Sequence, residues 1–430
     1  MAGRRILVVG AGFAGLYAAM GMKNLVRAGH RVTVVNDQNF MQYQPFLPEV
    51  ASGTIDPRAV VVPLRPVLRH CEIVIGDVER LEHEQRRAHI RLPDGSERVD
   101  PYDVVVLAPG SRSNVLPIPG LGEHGIGFKT VQEAIFLRNR VLSRLDVAAG
   151  TEDESVRRAA LTFVFVGGGY AGVEALGELE DLARDALEAY PRLGPGAMRW
   201  ILLDVAPAIL PELGPDLARY ASQELAERGI EIAVRTGLVS YEAGVATTTD
   251  GREIPAHTLV WTAGVRPSPL AARSGFPVDE RGRLRTDRFL RVVGEEDAWA
   301  AGDAAAIPDR ATGDVMPPTA QHAMRQGRRL ARNLTAWLEG GRMEPFVYRS
   351  IGTVCSLGRY KGVAVIRGVK LRGFPAWFAH RTYHLFALPT IARRVKIALD
   401  WTVALLFPRD LAQLGALERP HEPFERAAGP

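Results

Sequence analysis

The sequence predicts an α/β fold of two parallel-sheet domains followed by an amphipathic helical region, and three observations carry that expectation. A hydrophobic strand, a glycine-rich turn, a helix and a second hydrophobic strand occur in that order from Ile6, and again from Thr162. Each set is followed by a buried-strand run ending in a Gly turn, DVVVLAPGS at 103–111 and HTLVWTAGVRP at 257–267. Towards the carboxyl terminus, apolar residues recur with helical period, with basic residues between them.

Composition sets the outer limits. The 430 residues suffice for two or three domains, and 47% hydrophobic with 24% charged residues is a globular balance. No run approaches the roughly 18 apolar residues that cross a bilayer; the late run Trp401 to Phe407 is far too short. Arg4 and Arg5 lead straight into a strand, which leaves no room for a secretory signal. Cys71 and Cys355 are the only cysteines, so a disulfide scaffold or cysteine zinc site is not expected, and a reducing compartment fits. Between Arg349 and Asp400 stand ten Lys or Arg and one acid, a local net charge of +9 on a chain of +4 overall. Such a basic region on an acidic body suggests an anionic partner, nucleic acid or anionic lipid.

The two glycine turns come next. Gly10, Gly12 and Gly15 form G-x-G-x-x-G between a strand and a helix; Gly167, Gly169 and Gly172 repeat it 157 residues later. In such a loop the first glycine permits the tight turn and the second lets backbone approach a pyrophosphate. The third allows close helix–strand packing, and the helix N-terminus faces the phosphate charge. One loop alone would equally fit a plain strand–helix turn. Two in the same context point to two Rossmann-like dinucleotide-binding domains.

The strand after each loop should end in an acid that holds the ribose hydroxyls. Asp204 fills that place in the second unit, and Val205 to Ala208 offer no Arg for a 2′-phosphate, which favours NADH over NADPH. The first unit has Asn36 there, a neutral amide and so a weaker partner. The next residue, Asp37, would point to the other side of the strand.

With both loops, the intervening turns and Gly302-Asp303 assembled, the chain resembles the type II NADH dehydrogenases, single-chain, non-proton-pumping NADH:quinone oxidoreductases carrying FAD. The resemblance runs from Arg5 to about Leu414. It implies that the first loop, with Phe13, Ala14 and Asn36, binds FAD, and that the second, with Tyr170 and Asp204, binds NADH in an inserted domain. It places Gly110 and Gly264 at crossover turns and gives Gly302 and Asp303 contacts to the flavin phosphate and ribityl chain; Pro45, Val78 and Ala320 join the FAD set. Asp303 would otherwise read as a helix cap.

The run Gln42-Tyr43-Gln44-Pro45-Phe46-Leu47 resembles the family segment near the isoalloxazine, and Ala320 to Gly327 resembles its quinone-site helix. Gln44, Gln321 and Gln326 would then lie beside the quinone, although Arg325 replaces a usual glutamine and Pro109 a usual threonine. Gln321 also fits a plain helix-start polar residue. Glu174 matches a glutamate near the nicotinamide, and also fits a first-turn acid complementing the helix dipole. The implied division is an FAD-binding domain at 1–117 and 266–345, an NADH-binding domain at 118–265, and a membrane-association region at 346–430.

Plotted at 100° per residue, Ile391, Val395, Ala398, Leu399, Thr402, Leu405 and Leu406 share one broad face. Arg393, Lys396 and Asp400 lie opposite, and Arg394 and Trp401 flank the apolar face. An aromatic stretch from Phe374 to Leu388 precedes it. This suits a helix lying in the headgroup boundary, hence a peripheral protein on the cytoplasmic face of the cell membrane. Packing on the core, or a homodimer, would use the same face. No nucleic-acid recognition motif accompanies the charge. The lack of a C-x-x-C pair argues against disulfide and sulfide chemistry. An NADH-dependent flavoprotein reductase with another acceptor and a slow-turnover FAD/NADH redox sensor remain alternatives.

Overall fold

The structure is a computed structural model that describes residues 3–194, 196–309 and 312–413. The chain forms two compact units. The first comprises Met1–Gln42, Val61–Arg112 and Val265–Ser350, and the second Tyr43–Val60, Ser113–Gly264 and Ile351–Pro430.

In the first unit a five-stranded parallel sheet runs in the order Ala298–Ala300, Val104–Leu107, Arg5–Val9, Arg31–Asn36, Glu72–Ile75. Its central strands are buried without alternation, from Ile6 to Val9 and from Val104 to Leu107, as expected where both faces of a parallel sheet are covered. The helices Phe13–Gly21 and Ala320–Leu338 approach so closely that a Cβ on Gly327 would lie 2.2 Å from the Ala14 carbonyl oxygen. Apolar and charged residues alternate on either side of Pro93-Asp94-Gly95, and they form an antiparallel meander, Asp77–Glu82, Arg87–Arg91 and Glu97–Pro101.

The second unit repeats the plan, with parallel strands ordered Ile126–Gly127, Thr258–Trp261, Thr162–Val166, Arg199–Asp204, Ile230–Val234. Phe163 and Trp200 stack at 4.3 Å on adjacent strands. The Val131–Gly150 helix begins in a capping box, Thr130 with Glu133. The acid-rich stretch 148–158 is mostly helical. It ends one helix and opens another, Glu154–Ala160, because Asp153 accepts from the amides of Ser155 and Val156.

The carboxyl-terminal segment clusters with the second unit and adds an element absent from the sequence reading. Gly352–Ser356, Gly362–Ile366 and Val369–Arg372 form an antiparallel sheet, whose second turn carries Arg367 and Gly368 at φ 49° and 85°. Two positive-φ residues make the tight hairpin connection that matches strand twist. Two helices follow, Phe374–Ala387 and Ile391–Leu406. No helix among the described residues is long and apolar enough to cross a membrane. The last twenty residues, rich in Pro and Ala, lie almost wholly outside the described residues.

Ile391–Leu406 has the amphipathic bounds read from the sequence, and it sits with its polar side inward. Lys396 pairs with Asp56 at 3.1 Å, Asp400 accepts from the Asp56 amide at 3.1 Å, and the Trp401 indole donates to Glu49 at 2.6 Å. Ile397 is its one fully buried side chain. Ile391, Leu399 and Leu406 remain 75%, 60% and 72% exposed, and Phe374, Phe378 and Phe386 of the preceding helix are also more than half exposed.

Candidate functional site

Both loops are built alike. In the first, Gly10 has φ +86°, and a Cβ there would meet the Ala108 carbonyl oxygen at 2.3 Å. A Cβ on Gly15 would fall 1.8 Å from the Gly10 carbonyl oxygen. Only glycine fits either place. The middle residue differs: a Cβ on Gly12 meets nothing within 4 Å. In the second loop Gly167 has φ +117° and Gly172 would collide with the Gly167 carbonyl at 1.9 Å, while Gly169 again faces open space. The protein fills the space around the first and third glycines and leaves the second side open.

The following helices start at Phe13 and Tyr170, with no side-chain cap and no acid in the first turn. At neither helix start does a cap side chain take up the orphan amides. An open backbone edge beside uncapped helix donors fits a pyrophosphate, so the residues present suit a dinucleotide in each unit.

The strand-end residues match as well. Asn36 Oδ1 accepts from the Ala11 amide at 2.7 Å, and Asp204 Oδ2 accepts from the Gly168 amide, each from the residue after the first glycine. Asp204 Oδ1 also accepts from the Ala206 amide at 2.7 Å. A carboxylate offers about four acceptor positions, so Asp204 keeps capacity for two ribose hydroxyls.

Around the first loop the structure gathers several of the expected residues. Gly302, at φ +79°, packs beside Ala14, and its amide donates to Gln326 Oε1 at 2.8 Å. Asp303 accepts from the Ser111 hydroxyl at 2.6 Å. Sequence reading passed over Ser111, although it directly follows the crossover Gly110. Gly110 itself has φ +70°, and its counterpart in the second unit, Gly264, has φ +91°. Gln326 is buried and is occupied in holding this turn. Ala320 and Gln321 form the first turn of the same helix. The Tyr348 hydroxyl donates to Gln321 Oε1 at 2.9 Å, and the Arg325 guanidinium lies 4.2 Å over the Tyr348 ring. Val78 is a buried residue of the meander, paired with Ile90. Gln44 and Pro45 lie in a short 3-10 turn of the second unit, where Gln44 Nε2 donates to the Lys129 carbonyl at 3.3 Å.

Glu174 lies past the first turn of its helix, so the dipole-complementing role does not apply to it. Its buried carboxylate accepts from the Ser356 amide at 3.0 Å and pairs with the His380 imidazole at 3.1 Å. Burial works against a charged His380, but Glu174 outweighs it and the histidine pKa is raised. The His384 ring lies 4.6 Å from that of His380 and shares a hydrogen bond of 3.0 Å with the Tyr43 hydroxyl. Burial, then His380, holds His384 well below the ordinary range. Nearby, buried Glu49 pairs with Arg381 at 3.0 Å, and burial followed by the Glu49 charge raises Glu178. No local pattern announces Glu174 with His380, Tyr43 with His384 or Glu49 with Arg381, because those partners stand far apart in the chain.

Neither free cysteine is poised for thiolate chemistry. Burial pushes Cys71 to about 12, and burial with Glu174 raises Cys355. Among the described residues, His83, Glu295 and Asp297 alone bring three metal-type ligand atoms together, and there Arg86 already pairs with Asp297.

Comparison with known proteins agrees with this architecture. The pyridine nucleotide-disulphide oxidoreductase family matches residues 4–327. A type II NADH:quinone oxidoreductase of Mycobacterium tuberculosis is 31% identical, over 94% of this chain and 89% of its own. A mitochondrial internal alternative NAD(P)H-ubiquinone oxidoreductase of Arabidopsis thaliana is 30% identical, over 95% and 86%. The structure of NDH2 from Plasmodium falciparum in complex with NADH has the same fold, at TM-score 0.89 and 16% identity, covering 95% of this chain and 99% of that one. The chain belongs to the pyridine nucleotide-disulphide oxidoreductase family and, within it, to the type II NADH:quinone oxidoreductases.

Proposed function

We propose that this chain oxidises NADH through FAD and delivers two electrons to a quinone, without pumping protons, as a peripheral protein at a membrane surface. The observation that carries the reading is the pair of glycine loops whose middle residues, Gly12 and Gly169, each open onto free space beside uncapped helix donors. Bound FAD supplies the hydride-accepting and quinone-reducing chemistry.

The protein's part is to hold and orient. Gly10, Gly12, Phe13, Ala14 and Gly15 receive the FAD pyrophosphate, with Asn36 at the ribose and Asp303, fixed by Ser111, at the flavin side. Gly167, Gly169, Tyr170 and Gly172 receive that of NADH, and Asp204 takes the ribose hydroxyls. Val205 to Ala208 supply no cation for a 2′-phosphate, which favours NADH over NADPH. Gln326 positions Gly302 and Asp303, and Gln321, in the first turn of the same helix, is the polar group this unit offers to the quinone. Glu174, beside His380, serves the nicotinamide end of the second site.

Membrane attachment is supported by the inverted helix, whose charged side is consumed in docking and whose apolar side is exposed. Fully burying one Leu, Ile or Phe side chain is worth about 1.5–3 kcal/mol, so this surface suits the acyl–headgroup boundary.

Anaerobic mixing tests the assignment. NADH should bleach the flavin absorbance, NADPH should do so much more slowly, and menadione should restore it. A colourless protein that takes up no flavin would overturn the reading.

A further inference from the structure

Apart from its glycine loop, the second unit holds a cavity of ≈ 510 Å³ that the proposed reaction does not use. Phe136, Arg140 and Arg144 line it from the Val131–Gly150 helix, spaced i, i+4, i+8 and therefore on one face. His124, Tyr241 and His257 complete the wall.

The charges here are not balanced. Arg140 donates to the His257 carbonyl at 2.5 Å, but its Nε is buried without a partner. Arg144 makes no hydrogen bond or ion pair with any described residue, and its Nε is also buried and unpartnered. Burial, then the neighbouring Arg140, lowers the Arg144 pKa. Burial followed by both arginines keeps His257 below its usual range, and its buried Nδ1 has no partner either. The one acid in the lining, Glu123, is exposed and forms no ion pair with either arginine. Neither guanidinium is paired with an acid, and like charges side by side disfavour one another. Two adjacent guanidiniums facing a cavity are thus an arrangement that an anion completes.

We propose that this cavity binds a phosphorylated metabolite of nucleotide size, its phosphate held by Arg140 and Arg144. Guanidinium forks match phosphate oxygens two at a time. The volume lies within the roughly 300–1,000 Å³ usual for small-molecule sites. Phe136 is 38% exposed, and the His124 ring stands edge-on to Tyr241, which gives a planar base an aromatic wall.

Calorimetry on the FAD-loaded protein tests this, with NAD+ at saturation so that the second glycine loop is filled. AMP should still bind, more tightly than inorganic phosphate, and adenosine should not. Arg144→Gln should melt no lower than the parent, since Arg144 has no partner to lose, yet bind AMP at least about tenfold more weakly, the usual worth of a charge-assisted bond. Asp204→Asn should leave this AMP binding unchanged, which separates the site from the dinucleotide loop. The proposal is overturned if AMP does not bind at NAD+ saturation, or binds equally to Arg144→Gln. AMP binding no tighter than phosphate would overturn the nucleotide assignment.

Discussion

The geometry of the second loop makes two glycine-to-alanine changes, three residues apart, behave in opposite ways. Gly169 has φ −78° and ψ −176°, extended backbone that alanine adopts freely, and its Cβ would meet nothing within 4 Å. Gly169→Ala should therefore leave the fold intact or stabilise it by about 0.4–1 kcal/mol through the unfolded chain. The added methyl nevertheless stands where a pyrophosphate has to approach. Losing one charge-assisted backbone contact, about 1.5–3 kcal/mol, corresponds to a rise in KM for NADH of roughly 10- to 150-fold.

Gly172→Ala should fail differently. Its Cβ would lie 1.9 Å from the Gly167 carbonyl oxygen, which cannot retreat without moving the backbone of the turn, and 2.6 Å from the Thr262 hydroxyl. Overpacking of this kind costs about 1–3 kcal/mol or more, so the melting temperature should fall by several degrees. Flavin content, thermal melts and NADH kinetics on both variants decide the matter. An unchanged KM in Gly169→Ala would refute the cradle argument, and wild-type melting of Gly172→Ala would refute the packing argument.

Asp204→Asn keeps an acceptor for one of the two turn amides, sets its NH2 against the other and loses charge at the ribose, so KM for NADH should rise at least about five- to tenfold with flavin content unchanged; steady-state kinetics with a flavin spectrum checks both. Leu399→Glu with Leu406→Glu removes about 1–2 kcal/mol of transferable apolar surface per site, and co-sedimentation with vesicles should fall about 30-fold or more. His384 is held neutral in the folded protein, with a pKa well below the 6.5 of a free histidine. Its contribution is present above the unfolded pKa and is lost as pH falls below about 6.5, so His384→Gln should flatten the acid side of a plot of melting temperature against pH. Arg228→Ala leaves the buried carboxylates of Glu180 and Asp181 without their buried partner and should destabilise by about 3–5 kcal/mol, read from denaturant melts.

What the sequence disclosed and what it hid divide along range of interaction. Loop, strand and helix periods are local, so both glycine turns, the Asn36–Asp204 correspondence and the bounds of the last helix were all legible. The sheet at 352–372 was missed because its short strands alternate weakly and its signal is one Arg-Gly turn. Glu174 is 182 residues from the Ser356 amide it accepts from, and Gln326 is 24 from Gly302. Only the folded chain brings such partners together. The polar face of the last helix was likewise legible as polar, but not as the side that docks.

That inward docking changes how the basic region should be understood. Its +9 suggested a surface seeking an anionic partner, yet four of its cations are answered within the same unit: Lys361 by Glu224, Lys370 by Asp216, Arg381 by Glu49 and Lys396 by Asp56, all within 3.1 Å. The acids of the body and the bases of the appended segment are complementary halves of one interface. What the last helices turn outward is chiefly leucine, isoleucine, valine and phenylalanine. Adhesion to a bilayer should then resist salt, since at 0.1 M exposed charges more than about 10 Å apart are already largely screened from one another and apolar burial is not weakened in this way. Vesicle binding at 0.5 M salt should stay within severalfold of its low-salt value, and neutral vesicles should bind nearly as well as anionic ones. If each basic residue instead contributed about 1 kcal/mol at an anionic leaflet, binding would fall by orders of magnitude in salt and vanish on neutral lipid, and the apolar account of this surface would be wrong.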